Sequence, residues 1–150
     1  MWDANQDFSE FIECLNSRKA EFLVIGAHAM AIYGYPRFTG DLDVWVRSTP
    51  ENLERVRLAI ADFGMKVEAE GKGSWLGPNE VFQMGVAPYR IDVLRSISGV
   101  EFDEAWESRV SKLFGGHEVS FLSKALLLRN KKASGRKRDL ADVEELEARS

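Results

Sequence analysis

Residues 38–47 read FTGDLDVWVR, and from Asp41 onward this run alternates polar or aromatic side chains with apolar ones. Successive side chains of a β-strand point to opposite faces of a sheet, so the alternation predicts a strand over Asp41–Val46. The apolar set is expected to face the core and comprises Leu42, Val44 and Val46. The other set shares the opposite face and comprises Asp41, Asp43 and Trp45.

The neighbouring carboxylates of Asp41 and Asp43 are not explained by strand formation. Aspartate is depleted in strands, and two like charges close together repel each other. A hard divalent cation such as Mg²⁺ removes this repulsion, because it binds carboxylate oxygens together with substrate phosphates and water. The alternative is a solvated strand end that carries two surface aspartates. A D-x-D triplet alone does not decide between these interpretations.

A third carboxylate, Asp92, lies within Tyr89–Leu94, which reads YRIDVL. Its neighbours Ile91 and Val93 are expected to face inward, which leaves Asp92 on the opposite face. If the two acidic strands are neighbours, three carboxylates converge there and could hold two metal ions. A separation above about 10 Å would exclude a shared cation. The alternative is an isolated Asp92 paired with Arg90 or Arg95.

A glycine turn connects the predicted strand Glu21–Ile25 to a predicted helix, with Gly26, Ala27 and His28 at the junction. Such a junction lets a phosphate approach backbone N–H groups at the start of a helix. By itself the pattern is weak, because most strand–glycine–helix junctions are only turns. For His28, a packed or capping role is the alternative to a phosphate contact.

Arg37 and Thr39 precede the D-x-D strand, in a segment after Pro36 that is predicted to be a loop. Loops on a rigid scaffold often carry binding groups, so both residues are candidates for nucleotide binding. A salt bridge from Arg37 to Asp43 or Asp92 is the alternative.

The order of these motifs resembles the polymerase-β-type nucleotidyltransferase superfamily. An apolar residue precedes Gly26-Ala27, thirteen residues separate this pair from Asp41-Leu42-Asp43-Val44, and Ile91-Asp92-Val93 follows later. The sequence further resembles small bacterial nucleotidyltransferases related to abortive-infection and toxin–antitoxin systems. That second resemblance rests on an R-x-T-x-D-x-D run ending at Asp43 and on residues 131–142, KKASGRKRDLAD.

The resemblance implies an enzyme that moves a nucleoside monophosphate from a nucleoside triphosphate (NTP) to a hydroxyl on RNA, protein or a small molecule. Mg²⁺ or Mn²⁺ would be held by three catalytic carboxylates: Asp41, Asp43 and Asp92. Gly26, Ala27 and His28 would line the phosphate pocket. Many members hold the base or acceptor with a large extra domain, so a partner chain or homo-oligomer is an expected complement. Ala27 stands where many members have Ser, so backbone N–H groups are expected to bind the phosphate.

A basic cluster lies near the C-terminus without an intervening acid: Arg129, Lys131, Lys132, Arg136, Lys137 and Arg138. These cations could clamp a triphosphate or approach an RNA backbone, or they could form a solvated helix face. The resemblance favours nucleotide binding for Lys131 and Arg136. Asp139 and Asp142 are expected to pair with Arg138 or Lys137, with helix capping as the alternative for Asp139.

The whole pattern predicts an α+β fold in which helices pack on a mixed β-sheet. Helices are predicted over Asp7–Lys19, Ala27–Tyr33, Pro50–Phe63, Phe102–Val110, Lys124–Lys132 and Arg138–Ala148. Besides the strands already named, strands are predicted over Lys66–Ala69, Val81–Val86, Tyr89–Arg95 and Glu118–Phe121. The segment Glu70–Asn79 is predicted to be a loop.

A chain of 150 residues with 45% hydrophobic and 29% charged residues is typical of one domain, expected over residues 1–150. The net charge of −4 argues against broad adhesion to nucleic acid or anionic membranes. Cys14 is the single cysteine, so no intrachain disulfide is expected. The sequence has no signal-peptide pattern and no apolar run of about 20 residues, which predicts a cytoplasmic protein without membrane contact.

Two other functions remain compatible with the sequence. One is a non-catalytic, antitoxin-like module that binds a nucleotide or partner with the same fold. The other is an RNA-binding adaptor that uses the basic cluster, whose affinity would fall steeply with salt.

Overall fold

A computed structural model of the chain describes residues 4–35, 40–67, 73–86 and 89–148. The helices in these ranges are α1 (Ala4–Ser17), α2 (Gly26–Ile32), α3 (Pro50–Asp62), α4 (Phe102–Glu107), α5 (Lys124–Ser134) and α6 (Lys137–Ala148). The strands are β1 (Phe22–Ile25), β2 (Asp41–Val46), β3 (Val81–Val86), β4 (Tyr89–Leu94), β5 (Val110–Phe114) and β6 (His117–Phe121).

Within the described ranges, the six strands form one sheet in the order β3-β4-β2-β1-β6-β5. The pairs β2–β4 and β1–β6 are parallel, and the other three neighbouring pairs are antiparallel. The fold is therefore α+β with a mixed sheet, as the sequence predicted. The parallel β2–β4 pair matters most for the site, because it sets two acidic strands side by side.

The core forms because the apolar faces of the helices and of the sheet are covered together. Helix α1 buries the residues that recur at helical spacing: Phe8, Phe11, Ile12 and Leu15. Helix α3 starts at Pro50 after Thr49, whose side chain accepts a hydrogen bond from the Asn52 backbone N–H at 3.2 Å. It buries Leu53, Val56 and Ile60. On the sheet, Leu42 and Val44 are fully buried, so the predicted core face of β2 is confirmed.

The face of β2 that carries the aspartates is covered at its far end. Trp45 is only 1% exposed, its ring packs edge-on against Phe102 at 5.1 Å, and its indole N–H donates to the Arg95 carbonyl at 3.1 Å. Only the end of this face that holds Asp41 and Asp43 is partly open to solvent.

The prediction of a helix over Phe102–Val110 is wrong in its last part. Helix α4 ends at Glu107, and Val110 begins strand β5, which pairs with β6 as a hairpin. Gly115 and Gly116 form the tight turn of this hairpin with φ values of 58° and 85°, which glycine adopts without strain.

The strand predicted over Lys66–Ala69 is absent where the structure describes it, since Lys66 and Val67 belong to no strand. The rest of that segment lies outside the described residues. Residues 73–79 of the predicted loop form turns. Across the described part of the chain, no helix has the length and apolar character needed to cross a membrane.

Candidate active site

Strands β2 and β4 bring the three aspartates onto one face of the sheet. In the parallel register, Asp43 lies opposite Asp92 and Asp41 lies opposite Arg90. The intervening residues of both strands point into the core, because a strand alternates its side chains between faces. The structure thus satisfies the geometric condition for a shared site, whereas the role of these residues as metal ligands stays a prediction.

The Arg90 guanidinium lies between two of these carboxylates. Its Nε donates to Asp92 Oδ1 at 2.8 Å, and its Nη2 reaches Asp92 Oδ2 at 3.2 Å and Asp41 Oδ2 at 3.5 Å. Because one nitrogen contacts both carboxylates, they lie well inside the roughly 10 Å limit for a shared cation. We refer to Asp41, Asp43, Asp92 and Arg90 as the sheet cluster.

Within the sheet cluster, Asp43 is the carboxylate whose negative charge has the fewest hydrogen-bond partners among the described residues. Its carboxylate accepts no hydrogen bond from any residue in the described ranges. Burial, followed by the negative charges of Asp92 and Asp41, raises the pKa of Asp43 to about 6, against the opposing charges of Arg90 and Lys131. A bound cation would relieve both causes of this shift.

The backbone at Gly26, the first residue of α2, lies directly against the Asp43 carboxylate. A Cβ at this position would come within 2.3 Å of Asp43 Oδ2, and the backbone φ of 71° also favours glycine. The glycine turn is thus required for the close approach of backbone and carboxylate.

The sheet cluster opens into a cavity of about 860 Å³ between the sheet and helices α5 and α6. This volume is within the range of small-molecule sites. The sheet side of its lining contributes Gly26, Ala27, Asp41, Asp43, Arg90 and Asp92. The opposite side contributes Asn130, Lys131, Ser134, Arg136, Arg138 and Asp139, and the connecting wall contains Ser96, Ile97 and Ser98.

A second charged group, which we call the helix cluster, joins α5 to α6: Lys131, Ser134, Arg136, Asp139 and Asp142. Lys131 is buried and contacts Asp142 at 3.0 Å and Asp139 at 3.4 Å. Asp139 also accepts hydrogen bonds from Ser134 and, at 2.7 Å, from Arg136. Burial opposes the ionisation of Asp139, but these hydrogen bonds and the charge of Lys131 outweigh it and lower its pKa.

The same architecture is found in solved structures of other proteins. A lincosamide antibiotic adenylyltransferase with lincomycin bound superimposes with a TM-score of 0.61 at 13% identity, over 97% of each chain. An antigenic nucleotidyltransferase-like protein from Paracoccidioides brasiliensis gives a TM-score of 0.54 at 15% identity, over 93% of this chain and 74% of that one. The chain has the nucleotidyltransferase fold.

A third solved structure with this fold, a candidate nucleotidyltransferase from Thermotoga maritima, gives a TM-score of 0.50 at 16% identity. It matches over 94% of this chain and 86% of that one. No protein-family profile and no curated protein sequence matches the chain significantly. At these identities the likeness establishes the nucleotidyltransferase fold alone.

Of the predicted nucleotide-binding residues, four line the cavity: Gly26, Ala27, Lys131 and Arg136. His28 is not brought into it, because its ring lies edge-on between Phe8 and Phe114 at 5.5 and 5.6 Å. Its Nε2 is buried and has no hydrogen-bond partner among the described residues, and burial lowers the pKa of the imidazole. Arg37 and Thr39 lie outside the described residues.

The expected partners of Asp139 and Asp142 were wrong. Both carboxylates pair with Lys131 rather than with Arg138 or Lys137. The physical reason is that Lys131 extends from a different helix, which spacing within one helix does not reveal.

Sequence reasoning recognised Arg90 as a partner for Asp92 but missed its contact with Asp41. The R-x-D spacing was a usable signal, because residues two apart share a strand face. It also missed the wall formed by Ser96–Ser98, where Ser98 accepts a hydrogen bond from Asn130 at 3.0 Å. No local pattern predicted that wall.

The donor atoms of the sheet cluster suit Mg²⁺ or Mn²⁺, which prefer carboxylate oxygens. In the described ranges no group of three His, Cys, Asp or Glu side chains is already arranged to hold a metal ion. Arg90 engages both oxygens of Asp92. The residues fit a metal chemically, through the Asp43 carboxylate, which accepts no hydrogen bond from the described residues.

Proposed function

We propose that the chain catalyses metal-dependent transfer of a nucleoside monophosphate from an NTP to a hydroxyl acceptor. The observation that carries this proposal is the convergence of Asp41, Asp43 and Asp92 beside the Gly26 turn, inside a cavity large enough for a nucleotide. The nucleotidyltransferase fold supports it. Each feature alone has a structural explanation, but their combination is expected of a nucleotidyl-transfer site.

In this proposal Mg²⁺ or Mn²⁺ is held by the three carboxylates of the sheet cluster. When bound, the metal supplies Lewis-acid polarisation of the α-phosphoryl group and a template for in-line attack. Asp92 orients the acceptor hydroxyl and helps to remove its proton. The backbone N–H groups at Gly26 and Ala27 donate to the phosphates, because neither residue has a side-chain hydroxyl.

A small-molecule hydroxyl is the acceptor class that we propose first. The lincosamide adenylyltransferase matches this chain over 97% of both lengths, so a fold of this size accommodates a small acceptor in that protein. The net charge of −4 disfavours a polyanionic acceptor such as RNA. RNA and protein acceptors are the other outcomes of the test.

The test incubates pure protein with each α-³²P-labelled NTP, Mg²⁺ or Mn²⁺, and in turn a panel of hydroxylated small molecules, total RNA and cell extract. We expect label in one product and its loss in Asp92→Asn. Glu144→Gln, which removes an exposed carboxylate from α6 outside the cavity, is the matched control and should retain activity. Full transfer by Asp92→Asn would refute the mechanism.

A non-catalytic nucleotide-binding module is the second candidate. The specific observation in its favour is Arg90, which already neutralises both oxygens of Asp92. This candidate predicts NTP binding without release of pyrophosphate under either metal, so the same assay distinguishes the two functions.

A further inference from the structure

Among the described residues, four cations line the cavity, and three of them are engaged with carboxylates of the chain itself. Arg90 binds Asp92 and Asp41, as described above. Lys131 and Arg136 are both engaged within the helix cluster. These side chains hold the protein's own negative charges, which reduces their capacity to bind an external anion.

Arg138 differs from the other three. It lies in the first turn of α6 and lines the cavity, yet it forms no salt bridge and no side-chain hydrogen bond with any residue in the described ranges. A guanidinium carries five N–H donors in a planar fork that matches phosphate oxygens. Arg138 therefore keeps its full donor set available on the cavity wall.

The position of Arg138 relative to the sheet cluster indicates which part of a ligand it would meet. It lies on the helix side of the cavity, across from the carboxylates of Asp41, Asp43 and Asp92. Both sides line the same cavity of about 860 Å³. A triphosphate whose α-phosphate is near the carboxylates would extend its terminal phosphates toward the helix side.

We propose that Arg138 binds the β- and γ-phosphates of the donor, the part that leaves as pyrophosphate. This inference rests on the proposed function and assigns to Arg138 the contact that the sequence pattern assigned to Lys131 and Arg136. Those two residues then act as positioning residues, because they hold α5 against α6 and thereby fix the turn that carries Arg138.

The experiment measures binding by calorimetry with three probes in Mg²⁺: inorganic tripolyphosphate, ATP and AMP. Tripolyphosphate carries no base, so its binding does not depend on which nucleotide is the natural donor. Arg138→Gln should weaken tripolyphosphate binding at least about tenfold, as expected for loss of a bidentate charged contact. Arg138→Lys, which keeps the charge but loses the fork, should give an intermediate affinity.

Lys137→Gln is the matched control, because it removes the same charge from the adjacent exposed residue, which does not line the cavity. Its tripolyphosphate affinity should change less than about twofold. AMP binding, where detectable, should be equal in Arg138→Gln and the unaltered protein. Circular dichroism confirms that all variants are folded, which is expected because both side chains are exposed.

Three results would overturn the inference: equal losses in Arg138→Gln and Lys137→Gln, unchanged binding in Arg138→Gln, or no tripolyphosphate binding by the unaltered protein. The labelled-transfer assay judges the proposed function separately. A protein that binds tripolyphosphate through Arg138 but labels no acceptor would retain the anion site and refute the transfer reaction. Label transfer by the unaltered protein, together with full activity of Arg138→Gln, would support the transfer reaction and refute the role of Arg138.

Discussion

The sheet cluster and the helix cluster line one cavity and use the same residue types, yet their electrostatics are opposite. Burial raises the pKa of Asp43 to about 6, with added repulsion from Asp92 and Asp41. In the helix cluster burial also acts on Asp139, but hydrogen bonds from Ser134 and Arg136 prevail and lower its pKa.

The difference lies in how many donors each carboxylate receives. Asp139 is contacted by Ser134, Arg136 and Lys131, whereas Asp43 receives no hydrogen bond from the described residues. A buried acid with complete partners stabilises a fold, and one without them is poised to receive a cation. The comparison therefore supports the proposal that the sheet cluster binds the ligand, whereas the helix cluster supports the fold.

The largest expected effect is on catalysis at the sheet cluster. Asp43→Asn should lower the rate of label transfer by about a thousandfold or more, because several kcal/mol of metal-derived stabilisation is lost. Its circular dichroism spectrum should match that of the unaltered protein. Transfer at more than a tenth of the original rate would place the chemistry elsewhere.

A substitution in the helix cluster should lower the stability of the fold. Lys131→Met removes the buried cation that Asp139 and Asp142 share, although Asp139 keeps its ion pair with Arg136. The change should lower the free energy of unfolding by about 3 kcal/mol in urea titration. The control is Lys132→Met on the same helix, whose ion pair with Glu147 is exposed and should contribute at most about 1 kcal/mol. Similar losses in both variants would contradict the structural role.

The third prediction concerns pH and the metal-free fold. The folded-state pKa of Asp43, about 6, lies above its ordinary value of 3.8, so the folded protein holds this proton more tightly than the unfolded chain does. Its contribution to stability is thus lost as pH rises from about 4 to about 6, a loss on the order of 2–3 kcal/mol.

Asp43→Asn removes this titration. In EDTA, the stability of the variant relative to the unaltered protein should be greater at pH 8 than at pH 4, and added Mn²⁺ should reduce that advantage. Urea unfolding at the two pH values measures the difference. A relative stability that is independent of pH would show that Asp43 does not carry the uncompensated charge.

The smallest expected effect is on metal affinity. Arg90→Gln frees both oxygens of Asp92 and removes a charge that repels the metal, so Mn²⁺ should bind about fivefold more tightly, corresponding to roughly 1 kcal/mol. Electron paramagnetic resonance of free Mn²⁺ provides the measurement. Arg95→Gln is the control, because Arg95 donates to Ser48 and the Leu76 carbonyl rather than to a carboxylate. Weaker Mn²⁺ binding in Arg90→Gln would mean that Arg90 supports the metal site.

The residues of the sheet cluster could be predicted from the sequence because they are marked by local patterns. Alternation within β2 and β4 identified which face each aspartate occupies, and glycine identified the turn. The pairing of Asp43 with Asp92 could be stated only as a condition, since strand register depends on residues far apart in the chain.

Local sequence patterns did not predict the ion pairs of the helix cluster or strand β5. Lys131 finds its partners on the following helix, so spacing within α6 suggested the wrong cations. Strand β5 exists because β6 pairs with it, and Val110 alone does not distinguish a helix end from a strand start. In both cases tertiary contacts outweigh local preference.

The register between β2 and β4 ties the chemistry of the protein to its solubility and folding. A slip of one residue would turn Asp92 into the core and expose Ile91 and Val93, which are now buried. Any misaligned form would therefore lose its core together with its carboxylate site. The burial of Ile91 and Val93 therefore also fixes the position of the Asp92 carboxylate.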